Sequence, residues 1–269
     1  MTESPSAPAV PRPAATLLLV RDGPNGLEVL MARRHQQSSF MPGLLVFPGG
    51  RVDAGDGDAG LRDALPPDLR ALPDLVSRIG AIREAFEELG ILLARPAGTQ
   101  ALIDRERLAQ IAEAHRQRIH AARDGFAAMI ADETLTLAPD CLIPFAHWIT
   151  PPISPKRFDT RFYVALAPEG QDGIHDTHEL VSTDWVAPLD ALAQAEAGDV
   201  RIAFVTRSNL KLLSRSRTVA EALQAAKERK IVTVEPQPFD LPDGPALRIP
   251  ADAGYDILEV LVRDTGIGG

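Results

Sequence analysis

The stretch AIREAFEELG, residues 81–90, packs Glu84, Glu87 and Glu88 within five positions, beside Arg83. It reads as the second half of a helix that opens near Asp74 and stops at Gly90, a residue suited to the left-handed position just past a helix end. At 100° per residue, Ile79, Ile82, Phe86 and Leu89 fall at about 0°, 300°, 340° and 280°, a single apolar stripe. Glu84, Glu87 and Glu88 fall at about 140°, 80° and 180°, on the opposite side. Their spacings of i, i+3 and i+4 make them neighbours on the helix surface. One reading is a solvated acidic face with an Arg83–Glu87 ion pair. Against it, Glu84 and Glu88 are a like-charge pair one turn apart, which costs the helix about a few tenths of a kcal/mol. The other reading is a cluster of hard oxygen ligands for Mg²⁺ or Mn²⁺, in which the cation turns repulsion into coordination.

Upstream of this helix, LLVFPGGRVD (44–53) reads as a buried strand running into a Gly-Gly turn. Residues 54–73 are rich in Gly, Asp and Pro and predict a loop with one short helix. ATLLLV (15–20) and LEVLMAR (27–33) flank the turn-rich RDGPNG and predict a hairpin. Downstream, residues 102–131 predict one or two helices, CLIPFAHWIT and RFDTRFYVALA strands, and VTRSNLKLLSRS and VAEALQAAKER helices. In KRFDTRFYVA, Arg157, Asp159 and Arg161 alternate with Phe158, Thr160 and Phe162, the period of a strand with one wet face. With neither repeats nor a linker, the chain predicts one mixed α/β domain over residues 14–258. A Pro/Ser/Ala-rich disordered tail (1–13) precedes it and a short tail (259–269) follows.

Composition narrows the function. The 269 residues are 45% apolar, carry a net charge of −9 and have a pI near 5.2, with no basic run. A nucleic-acid surface is therefore not expected. An acidic protein that binds phosphates needs local arginines, backbone N–H groups or a divalent metal. Cys141 is the one cysteine, which excludes an internal disulfide and suits a reducing compartment. The N-terminus lacks the basic and apolar regions of a secretory signal, and the apolar runs are too short to span a bilayer. A cytoplasmic protein with no membrane contact is the expectation.

The run from Arg83 to Ile91, REAFEELGI, resembles the second half of the Nudix box, and FPGGRVD (47–53) resembles its first half. Gly50 to Arg83 encloses 32 residues, far more than the box ordinarily places there, and the excess falls in the loop rather than the helix. The loop glutamate of the box thus has no secure counterpart. Asp56 sits at its nominal spacing from Gly50, but the insertion makes that alignment unsafe. The interrupted box, together with WITPPISPKRFDTRFYVA and LPDGPALRIPADAGYDI, is similar to the Nudix branch that includes coenzyme A diphosphatases.

That resemblance implies an α/β/α sandwich around a mixed sheet, with extra helices, and hydrolysis of a nucleoside diphosphate linked to another moiety. Coenzyme A or an acyl derivative is the implied substrate; ADP-ribose, NADH or a nucleotide sugar is the alternative, and a Nudix domain that binds without turnover is a further one. Glu84, Glu87 and Glu88 would hold Mg²⁺ or Mn²⁺, and Arg83 would orient Glu87. Gly49 and Gly50 would let the backbone approach the catalytic helix. The general base would be a box glutamate or an acid of a later loop, with Glu179 and Asp176 in HDTHEL as candidates. Arg51, Arg157 and Arg161 are candidate grips for substrate phosphates through forked donors; the competing reading of the last two is a solvated strand face closed by Arg–Asp pairs. GDGDAG (55–60) matches a dinucleotide-binding pattern but has no strand leading directly into it. His175 and His178 read as surface loop residues, Trp148 and Trp185 as core anchors, and Cys141 as a small buried residue. The helices at 102–131 and the region after residue 230 either cover the pocket or join two copies as a homodimer.

Overall fold

The computed structural model describes residues 8–35, 43–121, 125–171 and 180–265. The hairpin is β1 (Arg12–Gly23) and β2 (Gly26–Arg34), joined by a tight turn at Pro24-Asn25 with Gly23 opposite Gly26. Its strands run further into RDGPNG than expected, because the chain reverses over only two residues. β1 also begins at Arg12, inside the segment expected to be a disordered tail, and pairs in parallel with Phe158 onward. The strand expected over 44–53 is two short ones, β3 (Leu45–Val46) and β4 (Gly49–Arg51).

The insertion is more ordered than a loop. A 3-10 turn at Ala54–Gly57 leads into α1 (Ala59–Asp63) and α2 (Pro67–Arg70), then α3 (Leu75–Leu89). β5 (Ala94–Pro96) pairs with β6 (Leu135–Leu137), and between them lie α4 (Arg105–Ala121) and α5 (Gly125–Asp132). Next come β7 (Ile143–Ile149), β8 (Phe158–Leu166) and β9 (Leu180–Val186), followed by α6 (Pro188–Ala197), α7 (Phe204–Leu213) and α8 (Val219–Glu228). The chain then forms β10 (Thr233–Val234), β11 (Gln237–Leu241), β12 (Gly244–Arg248) and β13 (Glu259–Leu261). β13 pairs with β12, so ordered structure continues past residue 258.

Among the described residues, eight strands form one mixed sheet in the order β10-β7-β8-β1-β2-β3, with β4 also on β1 and β9 also on β2. β1 and β8 are parallel; β1–β2, β1–β4 and β7–β8 are antiparallel. β1 is buried on both faces, which explains its continuous apolar run LLLV. Leu17, Leu19, Leu30 and Tyr163 pack against α3, α4 and α5 on one side. Leu18, Val20, Val29 and Met31 face α7 and α8 on the other, where Trp148 Nε1 donates to Tyr255 Oη at 2.9 Å. Helices on both faces of a mixed sheet are the α/β/α layering that the resemblance implies. No helix among the described residues is long and apolar enough to cross a membrane.

Candidate active site

Helix α3 sets the site. Ile79, Ile82, Phe86 and Leu89 are all at most 2% exposed, as their stripe requires. Ala81, Ala85, Arg83 and Glu88 are buried as well, so the helix is enclosed on nearly every side. The charged face is therefore not a solvated one. Gly90 closes the helix in the left-handed conformation at φ +65°. Asp74 stands at the N-cap position but has φ +56°, and its side chain caps nothing.

The carboxylates are organised around Arg83, whose five N–H donors are all used. Its Nε donates to Asp56 Oδ1 at 2.7 Å and its Nη2 to Asp56 Oδ2 at 3.1 Å, a two-pronged pair. Nη1 donates to Glu84 Oε1 at 3.0 Å and Glu87 Oε2 at 3.2 Å, and Nη2 also reaches the Arg51 carbonyl at 2.8 Å. The principal partner of Arg83 is thus Asp56, with Glu87 one of three. Asp56 is 1% exposed and also accepts the Asp53 N–H at 2.8 Å. It is the member of the cluster whose alignment the sequence left unsafe. Two signals pointed to it: the spacing from Gly50, and Gly80 in the interior of a helix. A Cβ at Gly80 would lie 2.9 Å from Asp56 Oδ2, so the glycine makes room for the carboxylate.

The Gly-Gly turn is explained by the same closeness. Gly49 has φ +152°, rare for L side chains, and a Cβ there would lie 2.4 Å from the Ala15 carbonyl. Its N–H donates to Glu88 Oε2 at 2.9 Å. A Cβ at Gly50 would lie 2.6 Å from the Glu84 carboxylate. β4 is thereby clamped between β1 and α3, and two of the three glutamates are fixed against it.

Electrostatics follow from the crowding. Burial is the main cause that pushes the Glu84 carboxyl up to about 7; Arg83 opposes the shift and Glu87 adds to it. Burial alone would lower the Arg83 pKa, but hydrogen bonding to Asp56 and the charges of Glu84 and Glu87 raise it overall. Asp56, Glu84 and Glu87 share the Arg83 guanidinium while Glu88 accepts from the Gly49 N–H, and the cluster borders a partly open face, where Glu84 and Glu87 side chains are 14% and 19% exposed. Among the described residues, no three His, Cys, Asp or Glu side chains converge tightly enough to enclose an ion alone. The arrangement fits a cation held from one side, as Mg²⁺ is when it keeps several waters and takes substrate phosphates.

The other expected residues are placed differently. Arg51 is exposed on β4. Arg157 corrects the expectation of a phosphate grip. It is 8% exposed, with Nε on the Thr150 carbonyl at 2.9 Å, Nη1 on the Ala9 carbonyl at 2.9 Å and Nη2 on Glu235. Each of its three nitrogens is engaged, two by backbone carbonyls and one by a carboxylate, in a largely buried setting. Arg161 pairs with Asp74 at 3.1 Å and lines a cavity of about 610 Å³ that Asp56 also borders. Glu179, Asp176, His175 and His178 lie outside the described residues.

A family description, the NUDT19 Nudix domain, matches residues 66–207, more than half of the chain. The chain is 30% identical to the acyl-coenzyme A diphosphatase NUDT19 of Gallus gallus, covering 67% of this chain and 59% of the relative. It is 28% identical to the protein of the same name from Xenopus laevis, covering 61% of this chain and 54% of the relative. The chain thus spans little more than half the length of these curated relatives. Among solved structures, a Nudix hydrolase from Alicyclobacillus acidocaldarius superposes with a TM-score of 0.66 at 26% identity, covering 80% of this chain and 96% of that one.

Proposed function

The chain belongs to the NUDT19 Nudix domain family, and from that premise we propose that it hydrolyses the diphosphate linkage of a nucleoside diphosphate joined to a second moiety, with Mg²⁺ or Mn²⁺ as cofactor. The observation that carries this reading is the buried Asp56–Arg83 pair, which holds Glu84 and Glu87 beside Glu88. A structural ion pair needs two charges; here three carboxylates share one guanidinium with a fourth, Glu88, on the same helix, and a cluster of hard oxygen ligands suits a divalent cation.

In this reading Glu84, Glu87 and Glu88 would hold the metal from one side, with water and substrate phosphates completing its shell. Such an ion would supply neutralisation of the diphosphate and a lowered pKa for bound water. Arg83 fixes the carboxylates of Glu84 and Glu87, Asp56 fixes Arg83, and the Gly49 N–H fixes Glu88. These contacts are positioning ones, set before substrate arrives. The acid that takes the proton of the attacking water is a box glutamate or Glu179 of the later loop. Arg51, exposed at the end of β4, faces solvent where a phosphate can reach it.

The substrate we favour is coenzyme A or an acyl-coenzyme A, supported by the names of the relatives. ADP-ribose, NADH and nucleotide sugars are the alternatives. A cytoplasmic, small-molecule role suits the acidic chain and its single cysteine. The test is product analysis of the purified protein with Mg²⁺ or Mn²⁺ on coenzyme A, acetyl-coenzyme A, ADP-ribose, NADH and a nucleotide sugar. Cleavage of coenzyme A to 3′,5′-ADP and 4′-phosphopantetheine ahead of the others is the expected result. Preference for ADP-ribose or NADH would retain the chemistry and overturn the substrate.

A further inference from the structure

The insertion between Asp56 and α3 does more than lengthen a loop. α1, α2 and the turn before them roof the cavity of about 610 Å³ beside the first turns of α3. That volume lies within the range of about 300–1,000 Å³ that small-molecule sites occupy. Its apolar wall includes Val52, Leu75, Val76 and Ile79, and three arginines line it: Arg62 from α1, Arg70 from α2 and Arg161 from β8.

The charges of this cavity are unevenly partnered. Three of its four acids have an arginine or imidazole partner, and Asp58 bonds backbone N–H groups only. Asp56 holds Arg83, Asp58 Oδ1 accepts the N–H groups of Gly60 and Leu61 at 2.7 and 3.2 Å, Asp74 pairs with Arg161, and Asp159 bonds His147. Among the described residues, neither Arg62 nor Arg70 has a carboxylate partner. Arg70 is held in place by backbone alone, with Nε on the Leu65 carbonyl at 2.7 Å and Nη2 on the Asp63 carbonyl at 2.6 Å. Arg62 is exposed, and its side chain makes no hydrogen bond or ion pair among the described residues. Arg62 and Arg70 thus bring two guanidiniums without a carboxylate partner to the same cavity. The first turn of α3 opens on the same space with no side-chain cap, and Asp74 at its N-cap position is turned to Arg161 instead.

From this, the geometry points to a second binding site: the insertion builds a pocket for a phosphate monoester carried on a small organic body. Arg62 and Arg70 supply forked donors to the dianion, and the apolar wall takes the body. The phosphate belongs either to a remote part of the hydrolysed substrate or to a separate effector. The site is argued from the cavity and its arginines, independently of the hydrolytic reading, and Asp56 is the one residue it shares with the carboxylate cluster.

The test is titration calorimetry of the full chain, without divalent metal, using inorganic phosphate and adenosine 3′,5′-bisphosphate. Arg62→Gln and Arg70→Gln should each weaken bisphosphate binding by about tenfold, the worth of a charge-assisted contact, while Glu88→Gln leaves it unchanged. Arg62 has no structural contact to lose, so its variant retains the fold, checked by circular dichroism. Wild-type affinity in Arg62→Gln, or loss of binding in Glu88→Gln, would overturn the site. For the source of the phosphate, KM for a substrate carrying a remote phosphate rises in Arg62→Gln if that phosphate occupies the pocket. It stays constant, with bisphosphate binding still weakened, if a separate molecule does.

Discussion

Arg83 is buried, positively charged and bonded through every N–H it has, so its neighbours depend on the charge that compensates it. Asp56 provides that charge in two-pronged geometry at 2.7 and 3.1 Å. Removing one partner of a buried pair is costly, and Arg83 keeps Glu84 and Glu87 when Asp56 is lost, so the cost is expected at about 1–3 kcal/mol. Asp56→Asn should lower the unfolding free energy by that order and reduce activity through the loosened Glu84 and Glu87; a chemical melt matching wild type would show the pair to be incidental. Glu84 gives a prediction in pH. Its folded pKa of about 7 lies above the unfolded carboxylate value, so the folded protein binds more protons in the window between them. The metal-free protein should hold this stabilisation in full below the unfolded pKa and lose it as pH rises through about 7. Metal needs the ionised form, so Mg²⁺ should raise Tm more near about pH 8 than near about pH 5.5. A shift that is equal at both, or larger in acid, would contradict the assignment of Glu84 as a ligand.

At the scale of the element, the helix rests on absences. Gly80 sits where alanine would ordinarily be better by about 1 kcal/mol. A methyl group there would instead meet Asp56 Oδ2 at 2.9 Å. Gly80→Ala should therefore destabilise, by about 1–3 kcal/mol, and lower kcat by moving Asp56 and Arg83; a more stable Gly80→Ala protein of normal activity would refute the contact. The apolar stripe of this helix was legible from its periodicity, because packing against one layer repeats every 3.6 residues. Its near-complete enclosure was not, since β4 and the insertion that cover its other side are brought there by the tertiary fold. Asp56 was half-legible. The insertion lies wholly after it, so the segment from Gly50 to Asp56 keeps its spacing while the chain detours through α1 and α2 before α3 begins. A count of residues between Gly50 and Arg83 registers only the detour.

Across the whole molecule, the periodicities made a single mixed α/β domain readable, and the resemblance to the Nudix box implied the α/β/α sandwich; the strand order was not readable, because it depends on pairing between distant segments. Long-range partnerships were not readable. The alternation in KRFDTRFYVA treats Arg157 and Arg161 alike, yet Arg157 joins Ala9, Thr150 and Glu235, three segments far apart in sequence. Arg157→Ala should then lower Tm while leaving KM for substrate unchanged, and a raised KM at wild-type stability would restore it to the substrate side. The central claim is that the carboxylates on α3 serve metal-dependent cleavage of a diphosphate. Its most direct test is the rate of coenzyme A hydrolysis against Mg²⁺ concentration, in wild type and in Glu88→Gln. The expected result is a wild-type rate that saturates with Mg²⁺ and vanishes under chelation, with Glu88→Gln slower by about a hundredfold or more. An equal rate in Glu88→Gln, or hydrolysis that persists under chelation, would contradict it.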